Sequence, residues 1–308
     1  MASSSPRPSS APSVIALYGP TASGKTAVAA ALLARLDAEV VSADSAALYA
    51  GLPILTAAPD YPARLVGVVP LGDDVSVGAY QRLAHAVIDE IVGGGRTAIV
   101  VGGTGLYLRA ALSALELPPP PAAGARERWE SLYAEVGPEA AHRLLAERDP
   151  RAAARVHAND RRRVVRALEL AEAGTSLAPP SDRLWTEDTR HPTLLAGLDL
   201  AEDELDRRIE ERTRRMAAAG AAAEARAAWA QPLSATARKV LGLEAFATLP
   251  EPEAVEAVTR ATRRLARYQR KWLRRLPGAA RLDAGRPPAA VADELLALGR
   301  TGERLPRR

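Results

Sequence analysis

The sequence contains no cysteine, four histidines and one phenylalanine among its 308 residues. Without cysteine the chain can form no disulfide, no thiol nucleophile and no thiolate zinc site. The four histidines are scattered and do not have the spacing of a metal site. Because aromatic residues make up only 4% of the chain, its core must be built mainly from Ala, Val, Leu and Ile.

Long apolar runs are also absent. The segments "VIALYG" and "TAIVVGG" are far shorter than the ~20 residues of a membrane-spanning helix. The N-terminal segment "MASSSPRPSSAPS" lacks the apolar region of a signal peptide, and its composition predicts a disordered tail over residues 1–12. We therefore expect a cytoplasmic protein that does not interact with membranes. We also expect a monomer, because no exposed apolar helix face stands out.

Lysine is scarce, because only three of the 41 basic residues are lysines: Lys25, Lys239 and Lys271. The net charge is +4 and the isoelectric point is about 9.6, which suggests an anionic partner without proving one. One of the three lysines falls inside a phosphate-binding pattern. An ammonium group fits such a loop better than a bulkier guanidinium does.

The segment "GPTASGKT", residues 19–26, has the spacing G-x-x-x-x-G-K-T of a phosphate loop. Backbone N–H groups of residues 21–26 would form a concave anion site, and the following helix adds positive potential. Lys25 would reach the outer phosphate and Thr26 could ligate Mg²⁺. The predicted diphosphate-binding residues are Gly19, Pro20, Thr21, Ala22, Ser23, Gly24, Lys25 and Thr26.

The pattern around this loop predicts an α/β fold with a parallel sheet. Short apolar strands are predicted at 13–19, 38–45, "TAIVVGG" and 193–200, and they alternate with helices at 25–36 and about 77–92. Ligands of such sheets bind at the carboxyl ends of the strands. Lys25, Asp44 and Thr104 all fall there.

Residues 113–190 are predicted to be an all-helical insertion. The proline-rich stretch "LELPPPPAAG" interrupts the α/β pattern, and residues 126–174 have a helical pattern only. Asn159 or Asp160 can cap the last of these helices, and Gly174 can end it. The core would then comprise residues 13–112 and 191–308, with a helical C-terminal region from residue 202.

The carboxylate of Asp44, which follows the strand "EVVSA", allows three interpretations. It could bind a metal ion in a phosphoryl-transfer enzyme, act as a base on an acceptor substrate, or be only a turn or cap residue. A phosphate loop alone does not choose between these chemistries.

The segment 259–275 carries Arg260, Arg264, Arg267, Lys271 and Arg274 at helical spacing. We interpret this face as a nucleic-acid contact, with a merely solvated face as the alternative. Tyr268 and Trp272 are interpreted as core residues, with base stacking as the alternative. A second basic cluster, which is also assigned to RNA against the alternative of a solvated helix start, consists of Arg161, Arg162, Arg163 and Arg166.

Six segments in order resemble the tRNA dimethylallyltransferases, also called tRNA isopentenyltransferases. They are "GPTASGKT", "VVSADSAALYAGLPILT", "VVGGTGLYLRA", "NDRRRVVRALEL", "RRMAAAGAAAEAR" and "TRRLARYQRKWLRR". The resemblance implies a phosphate-loop kinase-like core with a helical insertion. It also implies Mg²⁺-assisted transfer of a dimethylallyl group from its diphosphate to N6 of adenosine 37 in tRNA, without ATP.

The resemblance also implies residue roles. Asp44 would accept the N6 proton, Thr26 and Thr104 would line the substrate channel, and Arg226 would contact the diphosphate. The catalytic set is thus Asp44, Thr26, Arg226 and Thr104. The tRNA-contacting residues are expected to be Asp44, Ser45, Ala46, Ala47, Arg161, Arg162, Arg163, Arg166, Arg267, Gln269, Lys271 and Arg274.

The sequence departs from the family pattern at Ala47, Ala50 and Ala58, where the family usually has Gln, Arg and Lys. The phosphate loop, Asp44, Thr104 and Arg226 are intact, so the resemblance implies that the transfer chemistry is kept. Recognition of the acceptor is expected either to be weaker or to rely on other residues, since one good base contact provides roughly 1–3 kcal/mol of discrimination. Two alternative functions follow: an enzyme acting on free nucleotides, as a kinase or a prenyltransferase, and a tRNA-binding protein that has lost catalysis.

Overall fold

The computed structural model describes residues 12–178 and 183–301. Within these ranges six strands form one sheet in the order β3-β2-β4-β1-β5-β6, and every neighbouring pair is parallel. The strands are β1 (Val14–Tyr18), β2 (Ala38–Ser42), β3 (Ala63–Arg64), β4 (Thr97–Gly102), β5 (Thr193–Asp199) and β6 (Ala280–Asp283). The predicted α/β fold with a parallel sheet is confirmed.

Helices connect the strands and extend beyond them. They are α1 (Lys25–Leu33), α2 (Pro53–Thr56), α3 (Val77–Gly93), α4 (Gly105–Leu112), α5 (Ala125–Arg148), α6 (Pro150–Ala153), α7 (Arg161–Glu172), α8 (Glu202–Ala218), α9 (Ala221–Trp229), α10 (Leu243–Thr248), α11 (Glu251–Arg275) and α12 (Pro288–Thr301). Short 3₁₀ turns occur at Arg183–Trp185 and Ala237–Lys239. None of the helices in the described ranges is long and apolar enough to cross a membrane.

The central strand β1 is buried along its whole length, as expected of a strand covered by helices on both faces. Aliphatic side chains of β1, α1 and α12 contribute to one core cluster, which includes Leu17, Leu32 and Leu295. The sheet thereby places the loop after β1 at its centre, between the ends of β4 and β5.

Contacts divide the chain into two compact units, of which Leu115–Leu184 is one and the rest of the chain is the other. The smaller unit contains α5, α6 and α7, packed around buried Trp129, Leu145 and Leu168. Gly137, with a φ of 81°, and Pro138 interrupt α5. Asp160 caps α7 by accepting a hydrogen bond from the Arg163 amide.

The prediction that the chain is helical from residue 202 onward is wrong at β6. This edge strand buries only Leu282 among its four residues, so its sequence "ARLD" has no apolar run that would mark it as a strand. The predicted disordered tail, residues 1–12, lies outside the described residues except for Pro12.

Candidate active site

A cavity of about 820 Å³ opens at the carboxyl ends of β1, β2 and β4. The phosphate loop (residues 19–26) forms one side of it, and the segment from α2 to β3 forms another. Its polar and charged lining side chains include Thr21, Lys25, Thr26, Ser42, Asp44, Asp60, Arg208, Arg212, Arg215 and Gln269. The carboxyl-end position is the one at which parallel sheets bind ligands.

The phosphate loop has the backbone of an anion cradle. Ala22 and Gly24 have φ values of 64° and 90°, and this left-handed conformation costs a non-glycine residue about 1–3 kcal/mol. Within the described part of the chain, the amides of Ala22, Gly24, Lys25 and Thr26 have no hydrogen-bond acceptor. Because these N–H groups lie beside the cavity and have no acceptor, they can donate hydrogen bonds to the oxygens of a phosphate or diphosphate.

Lys25 folds back over the loop. Its Nζ donates hydrogen bonds to the carbonyl oxygens of Gly19 at 2.9 Å and Pro20 at 2.7 Å. Burial lowers the pKa of Lys25 to about 8, Asp44 opposes the shift, and Arg212 adds to it. An anion bound in the loop would give this buried ammonium group a charged partner in addition to the two neutral carbonyl oxygens.

Three arginines of α8, Arg208, Arg212 and Arg215, line the same cavity. Arg212 Nη1 donates to the hydroxyl of Thr21 at 2.8 Å, and burial lowers the pKa of its guanidinium. Arg208 is paired with Glu204 at 2.7 Å. None of these arginines was predicted from the sequence, although their spacing of four and three residues places them on one face of the helix.

Asp44 lies in the cavity and shapes the turn after β2. Its Oδ1 accepts a hydrogen bond from the amide of Ala46 at 2.9 Å, and its negative charge acts on both Lys25 and Arg212. One carboxylate oxygen is thus engaged in the turn, and Asp44 remains a candidate proton acceptor or metal ligand. Ala47 also lines the cavity, whereas Ser45 and Ala46 do not.

Two residues of the predicted catalytic set are not among the described residues that line the cavity. Thr104 is the N-cap residue of α4 and uses no side-chain hydrogen bond there. Arg226 is exposed on α9. Glu224, on the same helix, instead accepts hydrogen bonds from the amides of Ile54 and Leu55 in α2 at 2.9 and 2.8 Å. The role predicted for Arg226 stays a prediction, and Arg212 is a rival for it.

Gln269, predicted as a tRNA contact, is buried against the phosphate loop. Its Oε1 accepts a hydrogen bond from the amide of Thr21 at 2.7 Å. Its side chain is 5% exposed and lines the cavity. The structure thus places it on the side of α11 that contacts the phosphate loop, opposite to the exposed residues of the same helix.

The basic face of α11 (Arg260, Arg264, Arg267, Lys271 and Arg274) is exposed along its length. Arg260 pairs with Glu256, whereas the other four have no ion pair within the described ranges. The core assignment of Tyr268 is wrong, because this side chain is 58% exposed. The polar residues Thr262 and Gln269 belong to the buried side of α11 instead. Because they are polar, the pattern of apolar residues alone misplaces the buried side of this helix.

Trp272 is half-buried, in partial agreement with its core assignment. Its ring stacks on Trp185 with 4.7 Å between centroids. A Cβ atom added at Gly105 would lie 2.2 Å from the same ring. Trp272 therefore attaches α11 to the start of α4.

The basic cluster of the insertion is partly engaged. Arg161, Arg162 and Arg163 are exposed at the start of α7, and Arg163 lies 3.7 Å from the carboxylate of exposed Asp160. Arg166 forms an ion pair with buried Glu169 at 2.7 Å and donates to the carbonyl oxygen of Pro119. Arg166 thus supports the packing of this unit, which leaves the first three residues as the better RNA candidates.

The cavity has residues that suit Mg²⁺. Although the described part of the chain has no cluster of three or more acidic or histidine side chains, Thr26 and Asp44 both line the cavity. Mg²⁺ is commonly held by one or two protein oxygens together with substrate phosphates and water. A hydroxyl and a carboxylate beside an anion cradle meet this requirement.

Comparisons with known proteins identify the family. The family model described as "IPP transferase" matches residues 47–276. A tRNA dimethylallyltransferase of Salinispora arenicola is 41% identical over 298 residues, covering 92% of this chain and 86% of the relative. That of Kineococcus radiotolerans is 39% identical over 306 residues, covering 92% and 96%. The chain belongs to the IPP transferase family and is an enzyme of the prenyl transferase class.

Solved structures agree with this assignment. The tRNA isopentenylpyrophosphate transferase of Bacillus halodurans is 27% identical, covers 95% of this chain and 99% of its own, and superposes with a TM-score of 0.65. A eukaryotic dimethylallyltransferase acting on tRNA has a TM-score of 0.75 at 21% identity, with 96% and 81% covered, and supports the fold alone. The predicted resemblance is confirmed, and the alternative of a kinase is not favoured.

Proposed function

We propose that this enzyme transfers a dimethylallyl group from dimethylallyl diphosphate to N6 of adenosine 37 in tRNA and releases pyrophosphate. The observation that carries the proposal is a phosphate loop with unsatisfied amides that shares one cavity with Asp44. The names of the relatives supply the prenyl and tRNA chemistry. Because the substrate is tRNA, we place the reaction in the cytoplasm, and we expect a monomeric enzyme.

The donor diphosphate would occupy the phosphate loop. The amides of Ala22, Gly24, Lys25 and Thr26 would donate to its oxygens, and Lys25 and Arg212 would balance its charge. As the allylic C–O bond breaks, the electron pair moves to the leaving diphosphate, and these fixed donors stabilise the charge that develops there. Bound Mg²⁺, held by Thr26 and the diphosphate, would supply further charge neutralisation.

The acceptor adenine would enter the same cavity from the side of Asp44. As N6 forms its bond to the allylic carbon, a carboxylate oxygen of Asp44 would accept one N6 proton. An anticodon-loop base can reach this position only when it leaves the stack. The small residues Ala47 and Ala58 line the cavity, so its acceptor side has fewer polar contacts than the family pattern provides.

The RNA would contact the basic face of α11 and Arg161, Arg162 and Arg163 of the insertion. Exposed arginines are suited to phosphate contacts, which make affinity depend on salt. Tyr268, at 58% exposed, would be available to stack on an unpaired base.

The test is mass spectrometry of nucleosides from unmodified tRNA with adenosine at positions 36 and 37. The tRNA is incubated with the enzyme, dimethylallyl diphosphate and Mg²⁺, and a parallel reaction contains free AMP as the acceptor. We expect N6-dimethylallyladenosine at position 37. A tRNA in which guanosine replaces adenosine 37 is the matched control and should give no product.

Other outcomes would contradict the proposal. Faster modification of AMP than of tRNA would indicate an enzyme of free nucleotides. Salt-sensitive tRNA binding without any product would indicate a binding protein that has lost catalysis.

A further inference from the structure

Gln269 is the point at which α11 contacts the phosphate loop. Its Oε1 accepts the amide hydrogen of Thr21 at 2.7 Å, and its main-chain oxygen accepts a hydrogen bond from the buried hydroxyl of Tyr18 at 3.1 Å. Tyr18 ends β1, directly before the loop begins. The side chain and the main chain of one residue therefore fix both β1 and the loop that follows it.

The Gln269 amide is also confined on its other side. A Cβ atom added at Gly103 would lie 2.4 Å from Gln269 Nε2. The glycine after β4 thus leaves the space that the amide group occupies. With 5% of the residue exposed, Gln269 has little room to adopt another rotamer.

The restrained atom lies next to the strained part of the loop. Thr21 directly precedes Ala22, whose φ of 64° is in the left-handed region. Such a conformation persists only when the surroundings hold it. The amides that lack acceptors, those of Ala22, Gly24, Lys25 and Thr26, all follow this point.

We infer that Gln269 is a positioning residue, which holds the phosphate loop in its anion-binding shape, and not an RNA contact. This inference rests on the proposed function only in that the anion is taken to be the donor diphosphate. Gln269 acts through the Thr21 amide, and the loop amides make the contacts with the substrate.

The first experiment measures binding of inorganic pyrophosphate with Mg²⁺ by isothermal titration calorimetry. Gln269→Met keeps the size of the side chain and removes the acceptor, and Gln269→Asn keeps the amide but shortens its reach. Loss of one buried hydrogen bond should weaken binding roughly tenfold in both variants. Thr259→Val is the matched control, because Thr259 is also buried on α11 and its hydroxyl has no partner in the described ranges.

Amide hydrogen exchange gives a readout that a general packing defect would not produce. In the wild-type enzyme the Thr21 amide should exchange much more slowly than those of Ala22 and Gly24. In Gln269→Met it should lose this protection, while the strands keep theirs. In steady-state assays with tRNA, the KM for dimethylallyl diphosphate should rise about tenfold with little change in kcat.

Three results would overturn the inference: wild-type pyrophosphate affinity in Gln269→Met, equal weakening by Thr259→Val, or an unprotected Thr21 amide in the wild-type enzyme. Failure of the proposed function would differ from all three. The wild-type enzyme would then bind pyrophosphate in a Gln269-dependent way but would leave tRNA unmodified.

Discussion

The phosphate loop and the basic face of α11 are both proposed to bind phosphate groups, but they are built in different ways. The loop uses backbone amides, and Gln269 and Arg212 attach it to two helices. The basic face uses long side chains in solvent, and four of its five members have no ion pair within the described ranges. Loss of one supporting contact should therefore cause a large decrease in the affinity of the loop for its anion. Loss of one side chain from the basic face should cause only a small decrease in affinity for RNA.

The largest expected effect is at Asp44, where the two substrates would meet. Asp44→Asn should lower kcat by roughly 10²–10⁴, because a general base contributes about this factor. Pyrophosphate affinity should be nearly unchanged. Single-turnover assays with tRNA and calorimetry with pyrophosphate measure the two quantities separately, and near-normal turnover would exclude the role of proton acceptor.

The next largest effect is expected at Arg212 and is compared with the effect at Arg226. Arg212→Ala should weaken pyrophosphate binding roughly 10–100-fold, because a hydrogen bond to a charged group is typically worth about 1.5–3 kcal/mol. Arg226→Ala is the matched test of the rival assignment, since Arg226 is exposed on α9. We expect little change in the pyrophosphate affinity of Arg226→Ala. A larger loss in Arg226→Ala than in Arg212→Ala would reverse the geometric assignment.

These two arginines illustrate what a sequence can and cannot predict about this site. The loop was predicted because its amides need only a short pattern of glycine and lysine, and the parallel sheet was predicted because its strands are continuous apolar runs. Arg212 was missed because it lies 191 residues from Thr21 in the sequence and reaches the loop only through the packing of α8. Gln269 was predicted to contact tRNA because the sequence does not show that this polar residue on a basic helix is buried.

The third prediction concerns pH. Because burial lowers the pKa of Lys25 to about 8 in the free enzyme, its ammonium form is lost as the pH rises through about 8. Pyrophosphate affinity should therefore fall above this pH. Lys25→Met should bind more weakly at neutral pH and lose this component of the pH dependence, which calorimetry from pH 6.5 to 9.5 would detect. An identical pH profile in the variant would show that the titration belongs to another group.

The smallest effect is expected on the basic face. Arg267→Ala should weaken tRNA binding a few-fold and reduce the slope of log affinity against log salt by about 1. Arg260→Ala should change the slope less, because Arg260 already pairs with Glu256. Filter binding over a range of salt concentrations measures both slopes. If Arg267→Ala lost tRNA affinity by as large a factor as Arg212→Ala is expected to lose pyrophosphate affinity, the proposed difference between the two regions would be wrong.

The contact between Trp272 and Gly105 sets the distance between these two regions. A methyl group at position 105 would lie 2.2 Å from the indole ring, so α11 can approach the sheet only because that methyl is missing. One side of this helix contacts the phosphate loop and the other faces solvent. The absence of a side chain at position 105 thus sets how far the exposed basic face lies from the phosphate loop.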